Sequence, residues 1–236
     1  MTRPTKLLPG AYMLPLGIVN VFVIDAGDEL VLVDTGSPGH AGEIIEGVQA
    51  LGRQAKAIRH ILVTHCHPDH IGNLGEIKRL TGAAVYMHPL AAAVVRGELA
   101  MRPLKPAPSV LSRVLFRLFI APNLGASLPA VPVEHELLDG DELPVAGGIR
   151  AVHVPGHCSG QLAYLYGGDG GLLLAADAAA NMMGLGLSLG YENLDVGLRS
   201  LAKLAGLRFR AAGFGHGRPI LRDASQRFRE KWGNQY

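Results

Sequence analysis

The chain has 236 residues, 48% of them hydrophobic and 18% charged, and its 22 basic and 20 acidic side chains leave a net charge of +2. This near balance does not favour nucleic acid or an anionic membrane as the main partner, and the 2 cysteines are too few for a disulfide framework or an all-cysteine zinc site. A chain of this length buries roughly 70% of its unfolded surface, so it can fold without covalent cross-links.

The beginning of the chain does not read as a secretory signal. Prolines and glycine interrupt the residues after Arg3 and Lys6, and the apolar core of a signal peptide is missing. The apolar runs all fall short of the ~18 residues that a membrane helix needs. We therefore expect a cytoplasmic protein with reduced cysteines and without a membrane partner.

Short apolar runs alternate with helical patterns along the chain. The β-branched runs at 18–25 and 30–34 flank a polar, glycine-containing segment, which predicts a hairpin. Periodicity predicts the remaining elements: strands at 58–64, 84–87, 133–138, 149–154, 162–166, 172–175 and 210–214, and helices at 41–51, 71–80, 193–205 and 221–232. This mixture predicts an α/β fold in which two sheets pack together with helices outside.

A proline-rich segment at about 96–132 interrupts the alternation. Between its prolines lies a helical pattern with Arg113 and Arg117 opposite an apolar face, whose members are Val110, Leu111, Val114, Leu115, Leu118 and Phe119. We interpret the segment as a helical insert in a single domain that spans 1–236.

Half of the histidines fall into one pattern with aspartates. His65, His67, Asp69 and His70 form an HxHxDH run directly after a predicted strand, and three further residues each follow a strand-like run: His157, Asp177 and His216. Side chains at the ends of neighbouring strands can converge on one point. Imidazole and carboxylate are the ligands of catalytic zinc sites, which keep one position open. The pattern therefore predicts a metal centre.

The same residues resemble the signature of the metallo-β-lactamase-fold hydrolases. The resemblance rests on THCHPDHIGN at 64–73 and extends along the chain through Asn20, VDTG at 33–36, GH at 156–157, AD at 176–177 and GHG at 215–217. It implies a four-layer αββα sandwich with two metal ions. One metal would be held by His65, His67 and His157, and the other by Asp69, His70 and His216. Asp177 would bridge the two, and Asp34 would orient ligand groups from outside the ligand set.

The resemblance also implies a mechanism. Two divalent ions, zinc first and iron or manganese as alternatives, would lower the pKa of a bridging water, and the resulting hydroxide would attack a carbonyl or phosphoryl centre. Asp69 is the candidate for orienting the hydroxide or taking its proton, and Asp177 is the second catalytic carboxylate. Tyr191 and Arg218 are candidates for contacting the substrate or protonating the leaving group.

Features of the sequence rank the branches of this family. Asp177 argues against antibiotic hydrolysis, because typical metallo-β-lactamases lack a bridging aspartate, and His67 argues against the oxygen-reducing diiron relatives, which have glutamate there. A strongly basic arm for tRNA is missing. Thioesterases of the glyoxalase II type and acyl-homoserine lactonases remain, which predicts hydrolysis of a small-molecule ester, thioester or lactone. A ribonuclease Z-like phosphodiesterase is the alternative.

Two questions stay open at the level of the sequence. The insert helix could cover the site and line an acyl pocket with Leu111, Val114, Leu115, Leu118 and Phe119, or it could form a homodimer contact. Cys66 and Cys158 each follow a candidate ligand histidine, so a non-catalytic metal-binding or redox-sensing domain is a further, less favoured interpretation.

Overall fold

The structure, a computed structural model, describes residues 3–123 and 129–233. The strands are β1 Thr5–Leu8, β2 Ala11–Leu16, β3 Val19–Asp25, β4 Leu30–Val33, β5 Ile58–Leu62, β6 Ala84–Met87, β7 Lys105–Pro106, β8 His135–Glu136, β9 Glu142–Leu143, β10 Ile149–His153, β11 Leu162–Tyr166, β12 Leu172–Leu174, β13 Gly190–Tyr191 and β14 Ala211–Gly213. The α-helices are α1 Ala41–Ala50, α2 Pro68–Ile71, α3 Leu74–Thr81, α4 Pro89–Val95, α5 Val110–Leu115, α6 Leu194–Ala205 and α7 Ala224–Trp232.

Most strands form two mixed sheets. The larger has the order β1-β2-β3-β4-β5-β6-β8, antiparallel from β1 to β4 and parallel beyond. The smaller has the order β14-β12-β11-β10-β9, in which only β12 and β14 pair in parallel. In β3 and β4 both faces are buried, which explains why their sequences read as continuous apolar runs.

Three hydrophobic cores show how the layers stack. A central core joins the facing surfaces of the two sheets, with Phe22 and Ile24 on one side and Tyr164 and Leu174 on the other. A second core packs α1, α3 and α4 on the outer face of the larger sheet. A third packs α6 and α7 on the outer face of the smaller sheet. This order of helix, sheet, sheet and helix confirms the expected αββα sandwich.

The predicted elements are present with shifted ends. The hairpin of β3 and β4 is confirmed, and the predicted strand at 133–138 shrinks to β8. The helix predicted at 71–80 is α3, which begins three residues later, and the short helix α2 precedes it across Gly72 and Asn73. Strand β2 and helix α4 are additional elements that the sequence patterns did not predict. None of the helices described here combines the length and the hydropathy that a membrane crossing requires.

The insert contains the predicted helix, in a less regular form. Ser109 caps α5 by accepting a hydrogen bond from the Ser112 N–H at 3.0 Å. From Phe116 to Ile120 the helix widens into a π-helix. The insert is joined to the domain through β7, which pairs antiparallel with β13. Residues 124–128 of the predicted insert lie outside the described residues.

Candidate metal centre

The candidate ligands lie at the ends of strands from both sheets. His65 and His67 follow β5, His157 follows β10, Asp177 follows β12 and His216 follows β14. Strands β10, β12 and β14 run in the same direction, because β10 and β12 are both antiparallel to β11 and β14 is parallel to β12. Their carboxyl ends therefore meet at one edge of the smaller sheet, where ligands gather in layered folds.

Three histidines form a first group. The ligating nitrogens of His65, His67 and His157 lie within 4.8 Å of one another. His67 Nδ1 and His157 Nε2 face each other at 2.9 Å, and the ring of His65 meets both rings edge-on. The carbonyl of Gly190 accepts a hydrogen bond from His157 Nδ1 at 2.7 Å, which turns Nε2 towards the group.

A second group contains the rest of the motif. The ligating atoms of Asp69, His70 and His216 also lie within 4.8 Å of one another. Asp69 Oδ2 is 3.3 Å from His216 Nε2 and 3.8 Å from His70 Nε2. His216 Nδ1 donates to the Ile18 carbonyl at 2.8 Å, so its other nitrogen faces the group.

Asp177 contacts both groups. Its Oδ2 is 3.2 Å from His216 Nε2 and 3.7 Å from His157 Nε2, and its Oδ1 is 3.6 Å from His70 Nε2. One carboxylate therefore faces histidines of both groups, which is the position that a bridging ligand needs.

Three buried atoms at this place are left unpaired. His65 Nε2, His70 Nε2 and Asp177 Oδ1 are buried and have no hydrogen-bond partner among the described residues. Buried polar atoms are nearly always satisfied in native proteins, so three together imply a bound group. Imidazole nitrogens and carboxylate oxygens are the donors that zinc, iron and manganese accept. The residues present therefore fit metal ions.

Burial and neighbouring charges shift the pKa values of the candidate ligands. Burial lowers the pKa of His65 and of His67, and neighbouring imidazoles lower both further, so that the pKa of His67 is about 3. Burial raises the pKa of Asp177, but His216 and His70 outweigh this effect and the pKa of the carboxyl falls below its usual range. Burial lowers the pKa of His70, but the carboxylates of Asp69 and Asp177 raise it to about 9. Binding of a cation would therefore release a proton from His70.

Asp34 positions the HxHxDH run through hydrogen bonds from outside the two ligand groups. It is buried, and its Oδ1 accepts from the Thr64 N–H at 2.8 Å while its Oδ2 accepts from the Thr64 hydroxyl at 2.7 Å. The same Oδ2 lies 2.9 Å from His70 Nδ1, which aims Nε2 of that ring at Asp69 and Asp177. Its backbone is left-handed, with φ of 63°, a conformation that is rare outside glycine and occurs at functional sites.

Two asparagines hold the loops of the centre and received no role from the sequence. The Asn73 side chain donates to the carbonyls of Thr35 and Ser37 and so joins the VDTG loop to the HxHxDH run. The Asn20 side chain donates to the carbonyls of Phe214 and Gly217 at 3.0 and 2.8 Å. Both stand in the quoted motifs, but their partners lie far away in the sequence.

Gly215 provides space for two candidate ligands. A Cβ at this position would lie 2.1 Å from Asp177 Oδ1 and 2.7 Å from His70 Cε1. A side chain of any size would therefore occupy the room in which these groups meet.

A family model described as the metallo-beta-lactamase superfamily matches residues 14–216, a range that contains all the candidate ligands. The chain belongs to the metallo-β-lactamase superfamily. A similar protein supports this over most of the chain. The "Probable metallo-hydrolase YflN" of Bacillus subtilis (strain 168) is 29% identical over 231 residues, which cover 89% of this chain and 85% of that protein.

Solved structures agree with the superfamily fold. A metallo-beta-lactamase family protein from Thermus thermophilus superposes with a TM-score of 0.69 at 30% identity, over 97% of this chain and 80% of that one. The MIM-2 metallo-beta-lactamase superposes with a TM-score of 0.76 at 23% identity, over 98% of this chain and 87% of that one.

In this superfamily member, Tyr191, a predicted substrate or leaving-group contact, makes its hydrogen bonds inside the protein. Its side chain is buried, and its hydroxyl donates to the Ala178 carbonyl at 2.9 Å and accepts from the Ser188 N–H at 3.0 Å. Burial raises the pKa of the phenol. Because both hydrogen bonds are used inside the protein, the hydroxyl is not free to protonate a leaving group. Tyr191 instead packs edge-on against the ring of His157.

Most of the other predicted contact residues are exposed. Arg218 lies two residues after His216, and its backbone is hydrogen-bonded to Asn181. The residues expected to line an acyl pocket do not line the cavity beside His67. Leu111, Val114, Leu118 and Phe119 are exposed and Leu115 is half-buried. On the insert helix Phe116 is buried, although it is not one of the residues predicted to line the pocket.

Proposed function

We propose that this protein is a dinuclear metal-dependent hydrolase of a small ester, thioester or lactone. One observation carries the proposal: Asp177 lies within 4 Å of histidines from both groups of candidate ligands, it forms a further cluster with His65 and His70, and buried atoms of these three residues are unpaired within the described residues. The similarity to a probable metallo-hydrolase supports hydrolysis as the reaction class.

The candidate ligands would be divided between two metal ions. His65, His67 and His157 would hold one metal, Asp69, His70 and His216 the other, and Asp177 would be shared. Two divalent cations, when bound, would supply an acidified water and polarise the electrophile. Asp34 keeps His70 in one orientation through its hydrogen bond to Nδ1, as outer partners of ligand histidines do.

Asp69 is the proposed group for orienting the attacking water or hydroxide. Its side chain is 30% exposed, whereas that of Asp177 is 6% exposed, so Asp69 can accept a hydrogen bond from water at the mouth of the site. Burial raises the pKa of Asp69, but His70 and His216 lower it below its usual range, and the carboxylate stays ionised. With the Tyr191 hydroxyl occupied, Arg218 remains the proposed contact for the leaving group.

A small cavity beside His67 supports a small substrate. Its wall is apolar where α4 contributes Leu90 and Val94 and where Met101 follows, and it carries Arg102 and Glu192 as charged groups. The charges of the Arg102 guanidinium and the Glu192 carboxylate cancel, so the wall itself does not select for an anion. The apolar part of the wall supports an acyl group as the substrate part that lies next to the candidate metal centre.

The test is a substrate panel with metal-loaded protein. An aryl ester, an acyl thioester, an acyl lactone and an aryl phosphodiester are compared for wild type, His67→Ala, Asp177→Asn and the control His135→Ala, a histidine on the exposed strand β8. We expect turnover of at least one carbonyl substrate, a loss of a hundredfold or more in kcat/KM for the first two variants, and wild-type activity for the control.

Metal analysis runs in parallel with the kinetics. We expect less than the wild-type metal content in His67→Ala and Asp177→Asn. Folded variants that retain two metals would overturn the site. Cleavage of the phosphodiester alone would overturn the choice of substrate class.

A further inference from the structure

The insert helix leaves an apolar face uncovered. Val110 is 77% exposed, Leu118 is 62% exposed, and Leu111 and Val114 are each 49% exposed. We call these four residues the insert face. They lie on successive turns of one continuous helical segment, so they form a stripe. Proteins that act alone in water rarely leave such stripes on their surface, and they commonly mark interaction sites.

The charged side chains of the chain segment that carries the insert face are all basic. Arg113 and Arg117 are exposed on the same helical segment. From 99 to 132 the sequence contains Arg102, Lys105, Arg113 and Arg117 and neither aspartate nor glutamate. A second copy of the chain placed on this face would bring its own arginines close to these, at a repulsive cost. The charge therefore favours an anionic partner.

The helix that carries the insert face contacts the strand next to the candidate metal centre through a buried phenylalanine. Phe116, on the opposite side of the helix, packs so closely on Gly190 that a Cβ there would lie 2.7 Å from its ring. The carbonyl of the same Gly190 accepts the hydrogen bond from His157 Nδ1. The Ala107 N–H donates to the Leu189 carbonyl and extends this joint. The insert face is thus carried by a segment that also orients a candidate ligand.

Further exposed apolar side chains flank the other side of the centre. Ile18, whose carbonyl accepts from His216 Nδ1, is 69% exposed, and Met183 is 77% exposed. Met182 follows Asn181, whose N–H donates to the His216 carbonyl. Apolar surface therefore occurs next to both candidate metal groups.

We propose that the insert face docks on an anionic lipid surface, a role beyond the proposed hydrolase activity. Helices with exposed leucine and valine and with arginine alongside bind in the plane of the membrane interface, where the apolar side chains enter the lipid and the guanidinium groups meet anionic headgroups. The sequence patterns alone did not favour a membrane partner. The exposure of the insert face, on a segment whose charged residues are all basic, now favours one.

The test is co-sedimentation of the full chain with vesicles of phosphatidylcholine, with or without phosphatidylglycerol. We expect binding to the mixed vesicles and weaker binding to pure phosphatidylcholine. Leu111→Gln/Leu118→Gln lowers the partition coefficient about tenfold or more on both vesicle types. Arg113→Gln/Arg117→Gln lowers it about thirtyfold on the mixed vesicles and leaves it nearly unchanged on the neutral ones.

Two controls keep the result specific. Leu138→Gln removes an apolar side chain of similar exposure outside the insert, and Arg227→Gln removes an exposed cation from α7; we expect both to bind as wild type. Circular dichroism checks that each variant is folded. Failure of the wild type to bind mixed vesicles overturns the proposal, as does equal binding by the leucine variant. Dimerisation in sedimentation velocity that Leu118→Gln abolishes would assign the face to a second copy instead.

Discussion

Asp34 and Gly215 show how single residues shape the candidate metal centre. Asp34 connects β4 to the HxHxDH run by hydrogen bonds to Thr64 and His70, and Gly215 leaves room where His70 and Asp177 meet. One residue supplies hydrogen bonds and the other supplies space. Neither is a candidate ligand, yet both fix where candidate ligands lie.

Gly215→Ala is expected to damage the centre without removing a ligand. The added methyl group would lie within 2.1 Å of Asp177 Oδ1, so the carboxylate or the backbone must move, at a cost of about 1–3 kcal/mol. Metal content by elemental analysis and unfolding by denaturant measure the two effects. Gly42→Ala in α1, where a Cβ meets nothing within 4 Å, is the matched control. Full metal content in Gly215→Ala would contradict the packing argument.

His88 lies outside the candidate metal centre. Its titration is expected to make the free energy of unfolding depend on pH. Its Nδ1 accepts from the Leu90 N–H at the start of α4, and its ring stacks on that of His153. Burial lowers the pKa of His88 and His153 lowers it further, to about 4 from 6.5. Because the unfolded chain takes up the proton more readily, the contribution of His88 to stability is complete above about pH 6.5 and is lost as the pH falls towards 4.

His88→Asn keeps a side-chain acceptor for the helix start and removes the titrating ring. We expect the free energy of unfolding of the wild type to fall more steeply than that of the variant between pH 6.5 and 4, as measured by urea unfolding. The histidines of the candidate metal centre are present in both proteins, so the difference between the two curves reports His88 together with its interaction with His153. Parallel curves would refute the assignment.

The insert is an element whose two sides have different roles. Its exposed side carries the insert face, while Phe116 is buried against Gly190. The pairing of β7 with β13, which also connects the insert to the domain, is only two residues long. Phe116 is therefore the main side-chain anchor that we identify for the helix.

Phe116→Ala is expected to loosen the insert while the sandwich stays folded. Removal of a buried phenyl ring from a core costs about 3–5 kcal/mol, which is enough to detach a short helix held by few other contacts. Limited trypsin digestion should cleave faster after Arg113 and Arg117, with the thermal unfolding of the rest nearly unchanged. Leu118→Ala, an exposed position of the same helix, is the control. Equal cleavage rates in the two variants would show that Phe116 is not the anchor.

Across the whole molecule, the centre joins the two sheets. His65, His67, Asp69 and His70 come from the larger sheet and its loops, and His157, Asp177 and His216 follow strands of the smaller one. A group bound by all of them would cross-link the two halves of the sandwich. Ligands that bind only the folded state stabilise it by mass action.

Metal removal is therefore expected to lower the thermal stability of the whole domain. At a free metal concentration about a hundredfold above Kd, binding adds about 2.7 kcal/mol, which corresponds to roughly 5–10 °C in Tm for a chain of this size. Scanning calorimetry before and after chelation measures the shift, and re-addition of metal should reverse it. Asp177→Asn should show a much smaller shift. An unchanged Tm on chelation of metal-loaded wild type would contradict the cross-link.

The local patterns carried much of the fold. Apolar runs predicted the strands β3, β4, β5 and β11, because a strand that is buried on both faces has apolar residues at consecutive positions. Helical periodicity predicted α1 and α6, because a helix that is buried along one stripe has apolar residues at regular intervals. Strand β2 and helix α4 were missed, since prolines begin or interrupt both sequences. The division between α2 and α3 depends on Asn73, whose side chain binds carbonyls of the VDTG loop.

The family, the αββα order and the set of side chains that fit metals can all be inferred from the amino-acid sequence, because the HxHxDH run and the other candidate ligands lie in short motifs after strands. Which polar groups are already paired and which surfaces are covered becomes evident only in the folded chain. The Tyr191 hydroxyl is bonded to Ala178 and Ser188, Asn20 reaches Gly217 across the chain, and the insert turns Phe116 inwards and leaves Leu118 in solvent. Hydrogen bonds and burial of this kind join distant segments, so they are set by the packing of the whole chain and not by any one motif.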